Sequence, residues 1–177
     1  MPSTTHRRIP IRELGEEDST ASWKNYGAVL PPDEYDEAYL LSLLCDPSFA
    51  EEPKPLSWVP LHAWRALAQL HSMAAIEPTL RLAEGDSYQQ AYDDFEQLSA
   101  EIGEAAITPL TTILTDRLRP RVSRILAAQG LGAIARSASG ATRANIVETL
   151  REQTRNIRDA AAVNNAAAHA LLAIGEL

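Results

Sequence analysis

Apolar and small residues recur in one fixed order along the chain, with polar positions between them at helical spacing. The word from Ala63 to Leu70, Ala-Trp-Arg-Ala-Leu-Ala-Gln-Leu, returns 32 residues later from Phe95 to Ile102 and again from Ala127 to Ile134. A fourth copy, after a gap of 40, runs from Ala167 to Ile174. Between copies a second word, Ala74-Ala75-Ile76-Glu77-Pro78, returns 31 residues on as Ala105-Ala106-Ile107-Thr108-Pro109. A period of this length, with a 3.6-residue rhythm inside each unit, predicts stacked helical hairpins. No stretch alternates in the two-residue rhythm of a strand, so the predicted fold class is all-α.

The same pattern places the elements. Pro31-Pro32-Asp33-Glu34 puts prolines and acids in a first turn and predicts a helix over 33–45, with Tyr35, Ala38, Tyr39, Leu41 and Leu44 on its apolar face. Asp46-Pro47 ends it, and Pro47, Pro53 and Pro55 make 46–57 a linker. Ser57 then caps a helix carrying Leu61, Trp64, Leu67, Ala68 and Leu70, whose partner covers 74–84. Ser87 and Gln90 form a capping box for a helix with Ala91, Phe95, Leu98 and Ile102; Gly103 ends it, and its partner spans 105–116. Pro120 stands in the first turn of the next helix, which holds Val122, Ile125, Leu126, Leu131 and Ile134. Ser139-Gly140 leads into a helix with Ile146, Val147 and Leu150, and the last helix spans 157–175. Residues 1–30 are polar and aperiodic. They are expected as an N-terminal arm, loosely ordered or laid along the repeats through Ile9, Trp23 and Tyr26. Residues 31–177 form the repeat domain.

Two columns of the repeat explain its packing. Ala63, Ala127 and Ala167 share one small column, and Ala66, Gly130 and Ala170 another. Small side chains let neighbouring helices approach to the short end of the ~8–10 Å range. Leu70, Ile102, Ile134 and Ile174 supply the apolar spine, each contributing roughly 1.5–3 kcal/mol when fully buried. Phe95 departs from the small column, so the second copy is expected to tilt or spread there.

The run from Ser123 to Ala135, with its Arg, two Ala and small-Leu-Gly-x-Ile pattern, resembles the first helix of HEAT-like repeats, in particular the short type named after phycobilisome lyases. The words beginning at Ala74 and Ala105 resemble the turn and second-helix start of that family. The likeness covers residues 57–177. It implies a right-handed α-solenoid of stacked hairpins with second helices lining a concave surface. Only Arg124 keeps the family arginine; Pro60, Tyr92 and Asn164 stand at the equivalent places, which implies that a charged ladder through the repeats is broken. Fold does not by itself assign activity, since the superfamily includes scaffolds, chaperones, lyases and DNA enzymes.

Composition narrows the classes. The chain has 177 residues, 45% of them apolar, enough for one domain with a core. No run approaches the roughly 18 apolar residues of a membrane span, and the N-terminus lacks the apolar block of a secretory signal. The single Cys45 lies among leucines and is expected as a small buried residue, which suits a reducing, cytoplasmic setting. The net charge of −8 is unevenly spread: residues 61–116 hold nine acids and two bases, residues 117–177 nine arginines and four acids. The acidic total argues against general coating of DNA, while the basic end suits an anionic partner.

No histidine stands at i, i+3 or i+4 from another or from Cys45, so helical metal spacing is absent; His62 and His71 read as helix-end residues and His169 as half-buried. Asp93, Asp94 and Glu96 read as a solvated face. No phosphate loop or nucleophile elbow occurs, and no cofactor or metal is expected. The arginines are the stronger lead. Arg143, Asn145, Arg151 and Arg155 fall on the last second-layer helix, and Arg151 and Arg155 are i, i+4 neighbours. Guanidinium groups suit bidentate contact with carboxylate or phosphate, against the alternative of internal pairing with Glu148, Glu152 and Asp159. Trp58 and Trp64 are further candidate anchors, with Trp64 also at core spacing. Aromatics are not interleaved with the arginines, which disfavours stacking on single-stranded nucleic acid.

The expected function is a non-catalytic protein-interaction module or scaffold with a protein partner on its concave face. Two alternatives stand beside it: a lyase-like or chaperone-like helper for a pigment- or cofactor-bearing protein, and nucleic-acid binding through the Arg-rich end. The apolar word Leu171-Leu172-Ala173-Ile174 has no polar helix after it, which predicts docking of that end on a second copy, a partner or the arm.

Overall fold

A computed structural model of the chain describes residues 8–16, 22–50, 56–85, 89–156 and 158–177. The Ser87 of the expected capping box, the prolines Pro53 and Pro55, and His6 lie outside the described residues. Every regular element among them is helical, as the lack of two-residue alternation predicts. The chain divides into two compact units, Met1–Ala75 and Ile76–Leu177.

The first unit contains α1 (Tyr26–Val29), α2 (Glu37–Leu44) and α3 (Val59–Gln69), with 3₁₀ turns at Ile11–Glu13, Pro47–Ala50, Leu56–Trp58 and Met73–Ala75. The helix expected from residue 33 starts at Glu37 instead. The Pro31 carbonyl accepts from the Glu34 and Tyr35 amides and closes a separate turn, and the Asp36 carboxylate accepts from the Tyr39 amide at 3.0 Å. That bond satisfies a free donor at the helix start and makes Asp36 the cap. Cys45 is the C-cap of α2 and is exposed. This corrects the buried position expected for it: the helix ends there, and the side chain leaves the buried face of Leu40, Leu43 and Leu44. The start expected at Ser57 is displaced as well, because Trp58 is the N-cap of α3 and makes no side-chain cap bond.

Helix α2, α1 and the Ile11 turn all pack on α3, whose residues are buried continuously from Val59 to Ala68. The described parts of the first 30 residues are tied to it by polar bonds. His62 is fully buried; its Nε2 lies 2.8 Å from the Gly15 carbonyl and its Nδ1 2.9 Å from the Tyr26 hydroxyl. A carbonyl only accepts, so in the neutral imidazole Nε2 donates and Nδ1 accepts from Tyr26. Gln69 accepts from the Tyr26 amide at 2.9 Å and donates to the Lys24 carbonyl at 2.7 Å. Ile11, Tyr26 and Leu30 are buried with Leu40, Leu61, Trp64 and Leu67.

The second unit contains α4 (Ile76–Glu84), α5 (Gln89–Ile102), α6 (Ile107–Thr115), α7 (Arg121–Ser137), α8 (Gly140–Arg155) and α9 (Ala161–Ala173). Helix α7 is central: α5, α9 and α6 pack on it most extensively, with α4 and α8 also in contact. Its glycines are packing surfaces. A Cβ on Gly130 would collide with the Ser99 side chain of α5, and one on Gly132 would lie 2.8 Å from the Ala170 Cβ of α9. Gly130 and Ala170 hold the same place in the repeat, and each is the point that meets the preceding helix of the series. Phe95, Leu98, Leu131, Ile134 and Leu171 are buried between them.

Candidate functional site

The arginines of the second unit resolve into three settings. Arg124, the one that keeps the family position, is buried at the start of α7. Its Nε donates to the Leu114 carbonyl at 2.8 Å, and its two terminal nitrogens form a fork with both carboxylate oxygens of Asp159. Asp159 also accepts from Gln153 at 3.0 Å and from the Ala160 amide at 2.7 Å. Gln153 donates in turn to Asn164, which donates to the Asn156 carbonyl. The Arg124 guanidinium, helped by the Gln153 and Ala160 donors, holds the Asp159 carboxyl far below the usual carboxylate range. This network fastens the end of α6, the start of α7 and the α8–α9 connection. Sequence reading offered Asp159 as one of three internal partners for the arginines but did not assign it to Arg124 or anticipate the burial, although the retained family arginine marked the position.

The second setting consists of pairs at helix ends. Arg119 makes a bidentate contact with Glu77, at 2.9 and 2.5 Å, and this charge-assisted pair raises the arginine pKa. Arg136 donates to Glu96 at 3.0 Å, and Arg117 to Asn156 at 2.8 Å. Glu77 and Glu96 come from the acidic stretch, so folding pairs part of the basic end with it.

The third setting is on α8. Ile146, Val147, Leu150 and Gln153 face inward, and Ala144, Asn145 and Glu148 face outward. Arg143 reaches over the ends of two helices and donates to the Ala135 carbonyl of α7 at 2.8 Å and to the Ile174 carbonyl after α9 at 2.7 Å. A cation there satisfies terminal carbonyls and opposes the negative ends of both helix dipoles. Arg151, two turns on, donates to the Glu176 carbonyl at 3.1 Å and to its carboxylate at 3.0 Å. Together they border an open groove of about 460 Å³.

Of the residues singled out from the sequence, Arg143, Asn145 and Arg151 are brought together on this groove. Arg155 is not part of its lining; it is 68% exposed and pairs with Glu148 at 3.4 Å. Trp58 and Trp64 belong to the first unit. Trp64 is fully buried and serves its core, so it presents no surface to a partner; Trp58 is half-buried. Glu176 is the lining residue that sequence reading missed, since its role depends on the chain folding back over α8. The far side of α9 carries a small apolar hollow of about 130 Å³ with Leu172 and Leu177 exposed beside it. Among the described residues no group of three or more His, Cys, Asp or Glu side chains could hold a metal ion, and no helix is long and apolar enough to cross a membrane.

No family model, no curated protein and no solved structure matches the chain, so the groove is interpreted from its own chemistry.

Proposed function

We propose that this protein is a non-catalytic interaction module, built as a solenoid of HEAT-like hairpins, that receives a protein partner along α8. The repeated packing supports the solenoid: α5, α7 and α9 follow one another, and the same small column meets the previous helix at each step. The observation that carries the binding role is the open α8 groove, where the Arg143 and Arg151 guanidinium groups stand beside the exposed amide of Asn145. Guanidinium groups held by internal bonds are pre-organised donors, which lowers the entropy lost on binding.

The test uses charge and bulk at exposed positions that leave the core intact. The tagged full chain is recovered from its native cells as wild type, Asn145→Glu and Arg121→Glu, and stoichiometric partners are quantified. Asn145→Glu is expected to deplete the partner about tenfold, whereas Arg121→Glu, at the exposed start of α7, leaves it unchanged. Equal recovery by all three forms would remove α8 as the binding surface.

A further inference from the structure

The proposed α8 surface already holds a carboxylate of its own. Glu176 follows Gly175, which has φ +74, a left-handed conformation open to glycine at little cost. From there its carboxylate reaches Arg151 at 3.0 Å and lies 3.5 Å from Arg143. The ion pair is solvent-accessible: the side chains of Arg151 and Glu176 are 38% and 30% exposed. Exposed pairs of this kind contribute little, so the internal carboxylate is readily displaced. Glu148, the other acid on the groove, pairs with Arg155 at 3.4 Å.

The shape of the groove selects among carboxylate ligands. Its lining extends along α8 from Gly140 to Arg151, a rise of about 16 Å at 1.5 Å per residue. That length matches about five residues of extended chain. Small residues, Gly140 and Ala144, lie on this stretch and leave room for a backbone to approach. A small carboxylate would fill only the place between the two arginines that the Glu176 carboxylate takes.

We infer that the Arg143–Arg151 seat binds an acidic peptide segment in extended form, with Glu176 as the resident competitor that the ligand's carboxylate displaces. This inference rests on α8 being the partner surface and adds the chemistry of the partner. Arg151 recognises the ligand carboxylate, and Arg143, fixed on two helix-end carbonyls, adds a stationary positive charge.

The experiment is fluorescence anisotropy of a short, terminally blocked, fluorescein-labelled peptide of alternating glutamate and alanine, titrated with the full chain. The expected result is binding that weakens as ionic strength rises. Glu176→Gln tightens it about fivefold, and adding Arg151→Ala to that variant weakens it by about fivefold or more. Arg151→Lys recovers only part of the loss, because an ammonium lacks the planar fork. All these positions are partly exposed, and circular dichroism verifies that the variants remain helical. Absence of binding to Glu176→Gln overturns the inference, as does equal binding of a glutamine–alanine peptide. Displacement of the peptide by an equal concentration of glutarate overturns it too, by showing a small-anion site. If Asn145→Glu removes the native partner while the acidic peptide fails to bind, the α8 surface stands and only this ligand chemistry falls. If the peptide binds as expected but native partners ignore Asn145→Glu, the seat stands and the partner surface falls.

Discussion

At the scale of single residues, several polar groups buried in the second unit are occupied in holding the fold. Arg124 and Asp159 are the clearest pair, with side chains 5% and 4% exposed. Removing one member leaves the other charge covered and unmatched. Asp159→Asn is therefore expected to destabilise the protein near neutral pH by about 3 kcal/mol, the low end for a covered pair, because the half-exposed Arg117 brings solvent close. The sign with pH follows from the lowered carboxyl pKa. The contribution is complete above the ordinary aspartate value of about 3.9 and is lost as pH falls from there toward the folded-state value. Urea midpoints of wild type and Asp159→Asn should therefore separate at neutral pH and draw together progressively below about pH 4, with most of the gap closing only below about pH 3. A gap that stays constant down to about pH 2 would show that Asp159 is not ionised against Arg124. The sequence marked the isolated arginine and offered Asp159 among three internal partners for the arginines, but it left the pairing and its burial undecided, because Asp159 lies 35 positions away in a connection without periodicity.

At the scale of elements, the repeat words located most of the helices of the second unit, while capping bonds decide where individual helices begin. The 3.6-residue rhythm is a local property and survives in one dimension. Boundaries depend on which side chain reaches a free amide, which is why Asp36 displaced the expected start at residue 33. The small columns read from the sequence are the contact points between helices, and this gives a test. Gly132→Ala gains helix propensity of about 1 kcal/mol but brings its Cβ to 2.8 Å from the Ala170 Cβ and 3.3 Å from the Ala170 Cα. Backbone cannot rotate away, so α7 and α9 must separate, at a cost of about 1–3 kcal/mol. A net loss of thermal stability is expected for Gly132→Ala. Ala170→Gly alone is also expected to destabilise, since glycine weakens a helix interior. Combined with Gly132→Ala, it should cost less than the sum of the two single changes, a favourable coupling in a double-mutant cycle. Strict additivity would place the two residues out of contact.

At the scale of the whole molecule, folding redistributes the charge that the sequence lays out end to end. The arginines of residues 117–177 read as a basic end, yet Arg119 and Arg136 are paired with Glu77 and Glu96 from the acidic stretch before it. Arg124, Arg143, Arg151 and Arg155 have internal partners as well. With a net charge of −8 and neighbouring acids beside these arginines, the protein presents little net positive field to a phosphate backbone. Duplex DNA is accordingly expected to show no salt-sensitive binding in a gel-shift assay at low ionic strength. A steep dependence of binding on salt would restore the nucleic-acid reading and count against a peptide-binding α8.

The sequence by itself determined the helical class, the approximate place of most long helices and the columns of small residues that let them approach, because each follows from side-chain size and spacing along one short stretch of chain. It also named three of the groove's polar residues, since helical spacing puts them on one element. Tertiary structure alone decided which charges were consumed and which were left to act. Trp64 went to the core, Arg155 to an exposed pair with Glu148, and Arg143 to the ends of α7 and α9, while Glu176 arrived over α8 from 25 residues away. Electrostatic partnership depends on distance through space, and no local pattern encodes it.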